Sequence, residues 1–133
     1  MNAPSVDIKD MLESESSLGL LFATNLFVGK EENSPDDCVT IFDTYGRSPL
    51  LELEGNSGYE YRAVQIRVRN NSYVAGWNLM QQIYDLLHGK NHEVWNNSEY
   101  QIIYVSSGPA LLDWDENDRV RFVLNLEIQR KEV

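Results

Sequence analysis

Three groups of residues carry side chains that could do chemistry. His88 and His92 stand four apart, the spacing at which two imidazoles on one helical turn can share a metal ion. Gly89 falls between them and is a natural helix stop. Helical ligand spacing is therefore not expected to hold, and two ligands fall short of a closed site. Cys38 is the only cysteine. A thiol nucleophile would need a histidine beside it; in its apolar stretch Cys38 reads as a small buried residue. One cysteine also excludes an internal disulfide and any multi-cysteine metal site. The third group, Asp113-Trp114-Asp115-Glu116-Asn117-Asp118, opens like a calcium loop. Asp118 then stands where the sharp-turn glycine belongs, and Leu124 where the bidentate glutamate belongs. It reads as an acidic turn whose repulsion Arg119 partly offsets. No dinucleotide-binding, phosphate-loop or nucleophile-elbow pattern occurs. Neither catalysis nor a metal or other cofactor is expected.

The elements that would position such residues centre on 60–89. In Val64-Gln65-Ile66-Arg67-Val68-Arg69 apolar and polar residues alternate. That puts Val64, Ile66 and Val68 on one face of a strand and Gln65, Arg67 and Arg69 on the other. Asn70-Asn71 breaks the strand and Ser72 is placed to cap a helix over 73–88. Gly76, Leu79, Met80, Ile83, Leu86 and Leu87 form its apolar stripe, and Gly89 ends it. Tyr73, Trp77 and Tyr84 lie on one flank of the stripe, where they either widen the core contact or meet a neighbouring subunit.

Elsewhere, Ser5 is expected to cap a first helix over 6–15 with Ile8, Met11 and Leu12 on one face. Residues 20–28, whose apolar period fits a strand but also a helix, and 38–45 read as two strands of a hairpin, with 29–37 as its solvated acidic tip. A short edge strand is expected at 50–53 and a flexible glycine-rich loop at 54–58. Residues 100–105 read as a strand ended by Ser106-Ser107-Gly108-Pro109. In 119–130, Val120, Phe122, Leu124, Leu126 and Ile128 alternate with polar residues, which demands one buried face. The class is α+β: a mainly antiparallel sheet with one long helix packed on it and a short N-terminal helix.

The 133 residues fit a single domain over 1–133. No apolar run is long enough to span a membrane, and the N-terminus lacks the pattern of a signal peptide, so synthesis and assembly in the cytoplasm are expected. On that footing Asn70-Asn71-Ser72 and Asn96-Asn97-Ser98 have no meaning as glycosylation acceptors. The formal net charge of −10, from 11 basic and 21 acidic residues, argues against tight binding to DNA or RNA, which works by neutralising phosphates. It fits an acidic surface that is merely soluble, that meets a basic partner, or that keeps nucleic acid from sticking.

The order of features resembles a known family. A helix and a strand pair lead to Asp43-Thr44-Tyr45-Gly46-Arg47-Ser48-Pro49. Gln65-Ile66-Arg67-Val68-Arg69 and a helix follow, then Leu112-Asp113-Trp114-Asp115-Glu116 with Arg119, Phe122 and Asn125. In this order the chain resembles the minor capsid and tail terminator proteins of long-tailed bacteriophages, with Asp43, Thr44, Gly46, Pro49, Phe122 and Asn125 at motif positions. The resemblance implies a structural virion protein at the head-proximal end of the tail. It implies a ring of six copies capping the tail tube protein, a surface for a head-completion or connector protein, and DNA passing through without specific binding. An acidic lumen would let DNA slide. A ring needs two unlike patches per subunit. The basic strand face of Gln65, Arg67 and Arg69 and the acidic turn Asp113, Asp115, Glu116 and Asp118, with Arg119, are the candidate pair; Tyr73, Trp77 and Tyr84 are further candidates. Two other readings are a neighbouring connector of the phage neck and an acidic inhibitor that mimics DNA.

Overall fold

The computed structural model describes residues 1–47 and 58–133, and the backbone of Leu51–Glu52 and Gly55–Asn56. Pro49 of the motif, and Leu50, Leu53, Glu54 and Ser57 of the expected edge strand and glycine-rich loop, lie outside the described residues. Two helices and a mixed six-stranded sheet form the described fold, in the α+β class. The strands are β1 (Leu26–Val28), β2 (Cys38–Thr44), β3 (Leu51–Glu52), β4 (Gly55–Asn56), β5 (Tyr59–Asn70), β6 (Glu93–Trp95), β7 (Ser98–Trp114) and β8 (Val120–Glu132). The large sheet runs β1-β2-β5-β8-β7-β6, and β3 pairs with β4 apart from it.

The sheet is built outward from β5 and β8, the two segments with the clearest alternation. They pair antiparallel over their length, with Val64 opposite Leu126, Ile66 opposite Leu124 and Val68 opposite Phe122. This register gathers the apolar sets on one face, where Val64, Ile66, Val68, Val120, Phe122, Leu124, Leu126 and Ile128 are buried. Helix α1 (Pro4–Ser14) brings Ile8, Met11 and Leu12 to this core, and helix α2 (Tyr73–Leu87) brings Met80, Ile83 and Leu87. The opposite face of the sheet carries Gln65, Arg67, Arg121 and Asn125.

Helix α2 begins and ends as its sequence dictates. The Ser72 hydroxyl accepts the Ala75 N–H at 3.2 Å, and Gly89 follows the C-cap His88 at φ +84°. Helix α1 differs. Ser5 lies inside the helix, Pro4 is in its first turn, and Ala3 makes no side-chain cap. The cap comes from β2 instead: Asp43 accepts the Ser5 N–H at 3.0 Å and its hydroxyl at 2.6 Å. A carboxylate there also suits the positive end of the helix.

Three expectations are corrected. Residues 20–28 and 38–45 do not form a hairpin, because β1 and β2 pair parallel, Leu26 beside Val39 and Val28 beside Ile41. The chain between them must return along the sheet, so 29–37 is a crossing segment held to it by side chains and not a hairpin tip, although most of its residues are exposed as expected. Ser106-Ser107-Gly108-Pro109 does not end its strand, for β7 runs on to Trp114, and register shifts between Val105 and Ser107 and between Ser107 and Ala110 absorb the irregularity. Asn96 and Asn97, both at positive φ (50° and 66°), join β6 to β7 in a two-residue turn, a use for paired amides that the sequence reading passed over.

Candidate assembly surface

The open face of the sheet binds the candidate charged residues to one another. Arg67 Nε donates to Gln65 Oε1 at 2.8 Å, Gln65 Nε2 to Asn125 Oδ1 at 3.0 Å, and Asn125 Nδ2 to Ser107 Oγ at 2.8 Å. This polar line crosses β5, β8 and β7, and the Arg67 guanidinium lies 5.0 Å from the Phe42 ring centroid on β2. Arg67 makes no ion pair among the described residues.

Arg69, Arg119 and Arg121 tie the crossing segment down. Arg69 is buried; it donates to the carbonyls of Asp36 (3.0 Å) and Pro35 (2.7 Å) and stands 3.6 Å from Glu31. Arg121 reaches the other Glu31 oxygen at 2.9 Å and grips Asp113 through two 2.7 Å bonds. Its hydrogen bond to Asp113 is the main cause that raises the Arg121 pKa, and the same bond holds the Asp113 carboxyl below the ordinary range. Arg119 bonds Asp115 at 2.7 Å, Asp36 at 3.1 Å and the Asn33 carbonyl at 2.7 Å. Burial works against the charge of Asp115, but hydrogen bonds from the Arg119 backbone and guanidinium outweigh it and keep its pKa low. The acidic turn and the buried Arg69 thus find their partners inside one chain. Glu116 and Asp118 point outward, and no ion pair engages them among the described residues.

The aromatic flank of α2 carries a group of exposed apolar side chains. Tyr73, Trp77, Leu111 and Trp114 are each 37–51% exposed. They surround buried Phe122: the ring centroids of Tyr73 and Trp77 are 5.0 and 5.6 Å from it, and Leu111 is its ladder partner on β7. Tyr73 also stacks with Trp114 at 6.4 Å. Val74 and Leu112 are exposed beside them. Tyr84 sits apart, half-buried against the core and stacked on His88 at 5.1 Å. The sequence pointed to Tyr73 and Trp77 but not to Leu111, Leu112 or Trp114, which reach the patch only through the fold.

The motif positions have structural work. Asp43 caps α1. A Cβ on Gly46 would stand 2.2 Å from the Tyr61 carbonyl oxygen, so only glycine lets the chain leave β2 this close to β5. Phe122 anchors the aromatic patch and Asn125 the polar line; Thr44 pairs with Ala63 at the end of the ladder. On the core side, buried Asp7 joins α1 to the sheet. It accepts from the Tyr100 hydroxyl, from Asn96 Nδ2 at 2.8 Å and from Arg130 at 3.1 Å. Burial, then the bond to Asp7, pushes the Tyr100 hydroxyl pKa up.

None of the chemical groups assembles a reaction centre. His88 accepts the Val105 N–H through Nδ1, Cys38 is buried, and His92 lies beyond the helix end. Among the described residues no three His, Cys, Asp or Glu side chains stand together as metal ligands, and no helix is long and apolar enough to cross a membrane. What the fold presents is a mixed sheet with exposed apolar side chains grouped where α2 meets β7 and β8. The family model for the bacteriophage tail terminator protein matches residues 6–132, and the chain belongs to that family. It is a structural protein of the phage tail and not an enzyme. A chain in the virion of a native gene transfer agent (GTA) particle has the same fold, with a TM-score of 0.71 and 11% identity, over 97% of this chain and 95% of that one. No curated protein sequence matches.

Proposed function

We propose that the chain acts as one unit that terminates the tail, six copies closing into a ring on the head-proximal end of the finished tube. The ring stops addition of tube protein and offers its far side to a head-completion or connector protein. DNA passes through its centre without specific contacts. The family match over residues 6–132 carries this reading. The likeness to a chain of a virion particle supports it, as does a net charge of −10 that disfavours a hold on phosphates. The polar sheet face and the aromatic ridge are unlike surfaces on one subunit, as a head-to-tail ring requires.

Deleting the gene tests it. Particles without the protein are expected to carry tails of uncontrolled length, unjoined to heads, and supplying the protein should restore both. Tails of normal length with heads unjoined would favour the neck-connector reading, and normal virions would refute both. The host cytoplasm is the expected place of assembly.

A further inference from the structure

The aromatic ridge has a complement at the far edge of the same sheet. Leu111 of β7 pairs with Phe122, Phe122 with Val68, Val68 with Val39, and Val39 with Leu26 of β1. Ridge and β1 therefore lie on one ladder row at opposite sides of five strands, about 19 Å apart at the usual strand spacing. Beside β1 an open groove of about 470 Å³ is lined by Phe22, Ala23, Phe27, Val28, Lys30, Glu32 and Ser34. Phe22 and neighbouring Leu21 are 46% and 57% exposed.

Charge follows the same division. Lys30 makes no ion pair among the described residues, and Lys9 lies 4.7 Å over the Phe22 ring. The ridge is bordered by the acidic turn, whose Glu116 and Asp118 are exposed and unpaired. The groove lining thus carries one unpaired cation, Lys30, beside one acid, Glu32, which also makes no ion pair among the described residues, while the ridge is bordered by two free carboxylates.

We infer that the ridge of one copy, Tyr73, Trp77, Leu111 and Trp114, seats in the β1 groove of the next copy, with Glu116 and Asp118 facing Lys30. The inference rests on the ring reading and names the contact that builds it. Such a contact uses two different patches, so each copy keeps one groove and one ridge for its neighbours and the chain of copies can close on itself. The aromatic side chains supply the buried area, and the charges set register and exclude ridge-to-ridge pairing, where like acids would meet.

The test uses the full chain alone and with isolated tail tubes, read by native mass. Trp114→Ser should raise the concentration at which the closed assembly forms by about 30-fold, the usual effect of truncating an aromatic hot spot. Lys30→Glu, and Glu116→Lys with Asp118→Lys, should each weaken assembly by about tenfold or more. The chain carrying all three charge reversals should recover most of it. Circular dichroism and the thermal midpoint of each variant separate lost contact from lost folding; a modest drop in midpoint is expected for Trp114→Ser, which gives up its stack on Tyr73, and for Asp118→Lys, which places Lys at φ +59°. Closed assemblies that form equally well in every folded variant, or a combined reversal no better than its parts, overturn this pairing and leave the ring reading standing. A wild-type chain that stays single even on tube ends removes the ring reading and the contact with it.

Discussion

The sharpest test of the folded chain is Asp7→Leu. Asp7 is fully buried and holds three donors: the Tyr100 hydroxyl, Asn96 Nδ2 and Arg130. Removing one member of a buried pair leaves the other charge without water or a partner, at a cost of about 3–5 kcal/mol. Here Arg130 keeps Glu60 at 2.6 Å and the Asn2 carbonyl at 2.8 Å, which places the loss near the lower end, about 3–4 kcal/mol. A chain of 133 residues unfolds with an entropy of roughly 0.28 kcal/mol/K, so the thermal midpoint should fall by about 11–14 °C. Urea melts followed by far-UV circular dichroism give the same quantity as a lower midpoint with an unchanged slope. Adding Arg130→Met to Asp7→Leu should recover part of the loss, because an apolar pair of similar volume replaces the stranded charge. A loss under about 1 kcal/mol, or a double variant weaker than the two singles summed, would show that this network does not fasten α1 to the sheet.

Three further outcomes follow from the geometry. Gly46→Ala forces a Cβ to 2.2 Å from a backbone oxygen that cannot move alone, so stability should drop by about 1–3 kcal/mol or more; a change under about 0.5 kcal/mol in urea melts would contradict the close approach. Asp43→Ala removes the borrowed cap of α1 and should cost about 0.5–2 kcal/mol, with amide exchange quickening first at residues 4–8. Asp113, Asp115 and Glu60 all have carboxyl pKa values held below their ordinary ones. Groups depressed in the folded state stabilise above the unfolded pKa and lose that contribution as pH falls through the folded one. These contributions should persist from pH 7 down to about pH 4 and fade below it. Urea midpoints across pH 2.5–7 read the loss, and Asp113→Asn should flatten part of the acid limb.

Much of this fold can be read from periodicity, and the exceptions have physical causes. β8 alternates along nearly its whole length, and β5 does so over Val64–Val68, because one face is buried there. Helix α2 announces itself through its stripe, Ser72 and Gly89. Strand direction leaves no mark on periodicity, so the parallel pairing of β1 with β2 was invisible and the segment between them passed for a tip. Ser106 to Pro109 look like a stop, yet Gly108, at φ +92° and with its Cβ position 2.7 Å from the Val123 carbonyl oxygen, lets the strand bulge and continue. For the candidate site, Tyr73 and Trp77 were legible because helical spacing put them off the core stripe. Trp114 and Leu111 were not, since only the β7–β8 ladder brings them to Phe122. The arginines were seen as an outward face, but neighbours such as Glu31, 90 positions from Arg121, are supplied by the fold alone.

The parallel return of β1 has a consequence for the order of events during synthesis. The segment that shapes the β1 groove is latched by Arg69, Arg119 and Arg121, which lie 33, 86 and 90 positions after the residues they hold. A nascent chain still short of Arg119 has the groove residues but lacks two of its three latches. A segment made early is thus secured among the last, and a half-made chain holds the groove residues without the arginines that fix them.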